Sequence, residues 1–562
     1  MHAQTADETK RIKVRDAATC RAWLNTLGEN ELGRLSAIER LLRNLAHSPQ
    51  APDLLLEIAE QARTAHLHEL DVIAGSLRGA VFPMPEAERR RLAVVCEGLA
   101  LGRDLFARLH TQLLEESEAA TRTVIPGTTT TLRAILPLAR ALDYQARLIL
   151  CLQFNGYEIE SAHWDRLCTY ASRVRVSTFQ DVALPDECPL LPSPTARALF
   201  TYPLLMALAQ LESRGDAERA LVSRLARRWA AKVGFRIEPG AATHVSPNGP
   251  VMGLSAEHAV RLDSHKLMRR LQARQEEIDA LDSGAVSAAR LPRGMTMAAT
   301  RSLLALLAER WSPGSVMVTP PDARLGEMRL RFGLPRLNTP ERAAQLSQPR
   351  LESREGQANW QSAANRAYIY GRFEQNTIIR MALGDEPRED MLAAWATQAE
   401  RATWVAIERQ HSYFEREFAS PVALGDLVTI VPPSLADQQA PSTGARSNKP
   451  ARFMFGRVVS LSQRQNPDLK MPPRQRIGVA VWSGTPTLVG IRGGDDPFFH
   501  DAVLLGADAA GEPESLLLPA GQFSHQPTIT LREPTRDVRV RLEAVLETGA
   551  SFERRRIHRL DN

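Results

Sequence analysis

The spacing of apolar residues divides the chain into three textures. From about Asp16 to Trp229 they recur at three- and four-residue intervals, the mark of helices with one buried face. Leu35, Ile38, Leu42 and Leu45 form one such stripe; Leu92, Val95, Leu99, Phe106, Leu109 and Leu113 form another along 85–114. Pro52-Asp53 suits a helix start, because proline is tolerated in a first turn and an acid there meets the positive end of the helix dipole. Pro126-Gly127 breaks the chain before helices expected over 132–153 and 161–173. PLLPSP (189–194) turns it before helices near 195–212 and 216–232. No fixed repeat period runs through these helices.

From Phe235 the stretch FRIEPGAATHVSPNGPVMGLS reads as short strands and turns, followed by helices near 263–281 and 298–311 and a strand in EMRLRFGLPRL. Toward the C-terminus alternation takes over. Val538, Val540, Leu542, Ala544 and Leu546 share one face of a strand, with Arg539, Arg541 and Glu543 on the other. Further strands are predicted at 453–461, 477–482, 487–492, 515–518 and 528–531. The expected fold is multidomain α+β: an all-α helical bundle or solenoid over 16–234, a small mixed α/β region over 235–338, a linker over 339–365, and an antiparallel β-barrel over 366–562. Within that barrel the polar stretch 436–451 reads as a disordered loop.

Composition narrows the function classes. A chain of 562 residues exceeds one hydrophobic core. Only six of its 70 basic residues are lysine, a skew that fits a GC-rich genome. With a net charge of +5 and no polybasic arm, nucleic acid is disfavoured as a partner. The five cysteines are odd in number and contain no Cys-x-x-Cys pair, the usage of a reducing compartment. The polar N-terminus lacks the apolar core of a signal peptide, and no apolar run is long enough to span a membrane. A cytoplasmic location is expected.

Catalytic signatures are missing. There is no Gly-Lys pair and so no phosphate loop, and no Gly-x-Ser-x-Gly elbow. His66 and His68 stand two apart, about 200° around a helix, and cannot share a metal; they read as solvated or capping residues. No catalytic residue, metal ligand or cofactor is assigned. The stretch IRGGDDPF (491–498) looks like the GGDEF signature of diguanylate cyclases. A cyclase needs a second acidic strand to help hold Mg²⁺, and none precedes it; Gly-Gly-Asp-Asp-Pro is a good turn in its own right.

Several stretches carry a resemblance to long bacterial proteins with a helical N-terminal half and a C-terminal barrel related to PilZ. They are AWLNTLGENELGRLSAIERLLRNL and PMPEAERRRLAVVCEGLALGRDLF, then RLDSHKLMRRLQARQEEIDALDSG, and finally WVAIERQHSYF, LGDLVTIV, FMFGRVVSLS, RIGVAVWSGTPTLVGIR, SLLLPAGQF and VRVRLEAVLETGASFE. The resemblance implies a cyclic-di-GMP effector acting in pili or surface attachment. In such barrels an Arg-x-x-x-Arg arm and an Asp/Asn-x-Ser-x-x-Gly strand hold the ligand, because paired guanidiniums grip phosphates and guanine edges and glycine admits the base. Here WVAIERQHSYF fills the second slot, offering Glu408 and Gln410, with Tyr413 where glycine would stand. Arg372, Arg380, Arg388 and Arg401 precede the barrel with no two of them four apart; Arg555 and Arg559 are so spaced but close the chain.

The standard site therefore reads as degenerate. Candidate ligand contacts are Glu408, Arg409, Gln410, Arg416 and Arg457. The favoured function is a non-enzymatic regulator or adaptor acting through protein partners. The alternatives are a cyclic-di-GMP effector with an altered site and a nucleic-acid binder using Arg452, Arg457, Arg464, Arg474 and Arg476.

Overall fold

The computed structural model describes residues 14–318 and, beyond them, 324–332 and 400–560, less connecting segments of which the longest is 432–453. The expected linker 339–365 and loop 436–451 lie outside the described residues. The chain divides into two compact units, Met1–Thr319 and Pro320–Asn562.

Eight helices open the first unit: α1 (Ala17–Leu24), α2 (Glu31–Ala46), α3 (Pro52–Leu77), α4 (Glu86–Thr121), α5 (Thr128–Phe154), α6 (Ser161–Val176), α7 (Ala196–Leu208) and α8 (Asp216–Trp229). Short polar side chains set their starts. Asp16, Asn30 and Thr195 each accept from a backbone N–H in the first turn of α1, α2 and α7, satisfying a donor that the helix itself leaves over. A four-stranded sheet follows, in the order β1-β3-β2-β4, from β1 (Gly234–Pro239), β2 (Val251–Gly253), β3 (His258–Asp263) and β4 (Val316–Val318). Between β3 and β4 run α9 (His265–Asp282) and α10 (Met297–Arg310). Asp165 on α6 accepts from Ser255 Oγ and from His258 Nδ1 at 2.8 Å, fastening the turn between β2 and β3 to the helices.

Helix α5 is the axis of this unit. One face, with Ala141, Tyr144, Leu148 and Leu152, packs in a core shared with α1–α4; the other, with Leu138, Leu142, Ala146 and Ile149, joins a core built from α6–α10 and the sheet. A helix flanked on both sides is buried all round, so its polar residues must find partners inside the protein. They do. Asp143, 1% exposed, accepts from Arg63 of α3 at 2.6 Å and from Arg147, one turn along α5, at 3.1 Å. Arg147 also reaches Asp71 at 3.2 Å and the carbonyl of Cys188 at 2.6 Å. Arg140 grips Glu60 of α3 through Nε and Nη2 at 3.0 and 2.8 Å. On the side toward α4, Arg103 donates to Gln145, whose amide donates to the His163 carbonyl. Gly102 lets α4 come this close: a Cβ there would lie 2.4 Å from the Tyr144 ring.

His66 corrects the expectation of a solvated or capping histidine. It is fully buried, and its Nδ1 lies 3.0 Å from the Tyr144 hydroxyl. Burial, helped by Arg43, pushes its pKa down to about 3; burial, then Arg103 and Arg166, brings His163 down to about 4.

The second unit holds two closed barrels where the sequence suggested one. The first runs β10-β7-β6-β5-β8-β9, from β5 (Arg324–Phe332), β6 (Glu400–Val405), β7 (His411–Arg416), β8 (Leu427–Val431), β9 (Met454–Arg464) and β10 (Arg474–Val481). The second runs β11-β12-β13-β16-β15-β14, from β11 (Pro486–Arg492), β12 (His500–Leu505), β13 (Ser515–Pro519), β14 (Thr528–Arg532), β15 (Asp537–Thr548) and β16 (Phe552–Arg559). Alternation reads the same in both, so it reveals barrel strands without saying which barrel closes on which. EMRLRFGLPRL, expected to leave the middle region, supplies β5, a wall of the first barrel between β6 and β8. Val489, Ile491, Leu516, Leu518, Leu531, Val540 and Ile557 fill the second.

Two outcomes are expected of the first unit. Asp143→Ala leaves Arg63 and Arg147 without their shared buried acceptor and lowers stability by about 3–5 kcal/mol in chemical unfolding. Between about pH 6.5 and 4 the unfolded chain protonates His66 and His163 while the fold does not. Stability therefore falls as pH drops through that window, on the order of 1 kcal/mol per pH unit for His66, in a series of unfolding curves.

Candidate functional site at the paired barrels

The strand β15 is regular through Leu542, then its register against β16 shifts before Val545 and again before Glu547. Bulges of this kind turn side chains out of the pleat's alternation. Glu547 emerges from the second barrel and meets the first. Its Oε1 accepts from the Trp482 indole N–H at 2.8 Å and from Arg554 at 3.3 Å, and its Oε2 faces Arg457 of β9 at 3.5 Å. Trp482 sits just past β10, where its backbone N–H continues the ladder to the Phe455 carbonyl. Its ring meets Phe552 edge to face at 5.6 Å and lies 5.6 Å from the Arg554 guanidinium carbon. Both contacts are attractive, the first through ring quadrupoles and the second through a cation over a π face.

Arg554 is 3% exposed and has further acceptors in Ser515 Oγ at 3.0 Å and Glu512 at 2.6 Å. The backbones touch as well: a Cβ at Gly549 would lie 2.4 Å from the Gly425 carbonyl oxygen. One carboxylate, two guanidiniums and an indole thus fasten one barrel to the other. The arrangement is a set of charged and aromatic groups engaged with one another.

Comparison with family models gives two matches. Residues 17–240, covering α1–α8 and β1, match the N-terminal domain of the cyclic-di-GMP receptor FimW, and residues 489–560, the second barrel, match the FimW C-terminal beta-barrel domain. Together they cover a little over half of the chain, in order. The chain belongs to the FimW family. Comparisons with curated proteins and with solved structures give no match.

The FimW-type C-terminal domain is thus the second barrel, whereas the ligand contacts expected from sequence lie in the first. Of these, Arg457 is placed, in its pair with Glu547. Arg416 closes β7 opposite Gln475. Glu408, Arg409 and Gln410 lie outside the described residues, as do the Asp495–Phe498 acids and their neighbours. WVAIERQHSYF is not one strand: β6 and β7 pair as a hairpin, Val405 opposite Tyr413, with 406–410 between them. IRGGDDPF likewise spans a hairpin, from β11 to β12, with Ile491 opposite His500.

Of the arginines that suggested nucleic acid, Arg452 lies outside the described residues, and three of the others are engaged within the protein, Arg457 with Glu547. Arg474 and Arg476 share the buried Glu415, at 3.1 and 3.0 Å. Sequence reasoning missed Trp482, Glu547 and Arg554, because the bulged register that unites them leaves no periodic signal. It also passed over Arg350 and Arg354, which have the four-residue spacing of a PilZ arm but lie outside the described residues.

Glu547→Gln withdraws the charge that Arg457 and Arg554 share. The expected result is a lower unfolding midpoint for the paired barrels, about 1–3 kcal/mol, in urea titrations followed by tryptophan emission.

Proposed function

We propose that the protein is a cyclic-di-GMP receptor: it binds the dinucleotide without converting it and passes the signal to a protein partner. The observation that carries this reading is the pair of family matches, to the N-terminal domain of a cyclic-di-GMP receptor and to its C-terminal barrel, in order along one chain. It ranks above a pure adaptor with a degenerate barrel, because membership of a receptor family favours ligand binding. Among the described residues no helix is long and apolar enough to cross a membrane.

The junction supplies a means of coupling. Arg457 is one-third exposed and holds Glu547 at 3.5 Å, longer than a strong charge-assisted bond. A phosphate that competes for Arg457 or its neighbours on the first barrel draws it from Glu547 and loosens one of the ties between the barrels. Ligand then favours the looser pairing by its difference in affinity for the two states. Glu408, Arg409, Gln410 and Arg416 stay candidates for contact, joined by Arg350 and Arg354.

Calorimetric titration of the full chain tests the reading. Saturable heat with micromolar or tighter affinity for cyclic di-GMP is expected, none for GTP, and the dinucleotide is recovered unchanged by chromatography. No heat with cyclic di-GMP would overturn it.

A further inference from the structure

The outer wall of the second barrel carries a charge pattern that neither the junction nor the core explains. In β15 the inward residues are Val538, Val540 and Leu542, so Arg539 and Arg541 point outward; both are exposed. The register sets Arg541 between Thr528 of β14 and His558 of β16, and Arg539 opposite Thr530. On β16, Arg556 and His558 are exposed on the same wall as Arg554. Adjacent strands are about 4.8 Å apart and alternate residues along a strand about 6.6 Å apart, so these cations and hydroxyls occupy a patch of small-ligand size.

Acids are unevenly distributed across this patch. Asp537 pairs with Arg532 at the margin through two bonds, 2.9 and 3.0 Å, and Glu543 lies 3.3 Å from Arg541. Arg539 and Arg556 have no carboxylate in ion-pair range among the described residues. Two exposed guanidiniums without acid partners, beside a third that shares a carboxylate, make a distinctive set. The unpaired pair suits phosphodiester oxygens, which guanidinium forks bind bidentately. The Arg541–Glu543 pair suits a guanine edge: the guanidinium donates to O6 and N7, and the carboxylate accepts from N1–H and the exocyclic amine. Adenine keeps the N7 acceptor but presents a donor at its 6-amine and an acceptor at N1, the opposite sense at those two positions, and has no amine at C2.

The geometry points to this wall as a binding site for a guanine-bearing cyclic dinucleotide, with Arg539 and Arg556 on the phosphates and Arg541 with Glu543 on a base. It rests on the receptor reading above and moves the ligand from the first barrel to the second. A long single strand of nucleic acid fits less well, because no exposed Phe, Tyr or Trp stands among these residues and the His558 imidazole alone cannot stack successive bases.

Titration of the full chain with cyclic di-GMP and cyclic di-AMP separates the possibilities. The double variant Arg539→Gln, Arg556→Gln is expected to bind cyclic di-GMP at least about tenfold more weakly. Glu543→Gln is expected to narrow the preference for guanine over adenine. Amide exchange of the unaltered protein supplies a second readout: ligand should protect β14–β16. Wild-type binding that the double variant leaves unchanged, or protection confined to β6–β7, overturns this site and leaves the receptor reading standing. No binding by the wild type overturns both.

Discussion

A carboxylate with no access to water governs the helical half. Asp143 sits on a helix flanked by two cores, and burying its charge is tolerable only because Arg63 and Arg147 meet it directly. The pairing fixes more than energy. Arg63 comes from α3, and Arg147 ties in Asp71 and the carbonyl of Cys188, so rotation or sliding of α5 would break several buried contacts at once. Apolar packing tolerates such slips by repacking; a buried ion network does not. The two cores are thereby held in one register.

The barrels use a looser version of the same device. Glu547 also gathers two guanidiniums, but Arg457 is partly exposed and its contact is long. Water can replace it at little cost. Arg554, by contrast, is buried with Glu512 and Ser515 and stays with its own barrel. One side of the node is firm and the other yields.

The legible part of this fold was periodic. Stripes such as Leu92–Leu113 and the alternation of Val538 to Leu542 identified helices and strands because each repeats one face several times. What escaped was set by pairing between distant segments. His66 reads like a surface residue until α5 is laid against α3. β5 reads as part of the middle region because its partners, β6 and β8, stand about seventy or more residues later in the sequence. Candidate ligand residues were sought where the PilZ likeness put them, in WVAIERQHSYF, whose residues 406–410, between β6 and β7, lie outside the described residues. The charged wall of β14–β16 was visible as alternating arginines, yet which ones lacked acid partners depended on the three-dimensional register.

That same β5 limits how the protein can be divided. Residues 324–332 close the first barrel between β6 and β8, although most of that barrel follows residue 400. A fragment begun where the strand-rich texture resumes would keep five of six walls and present two bare strand edges. Such edges carry rows of unpaired N–H and C=O groups that recruit other chains.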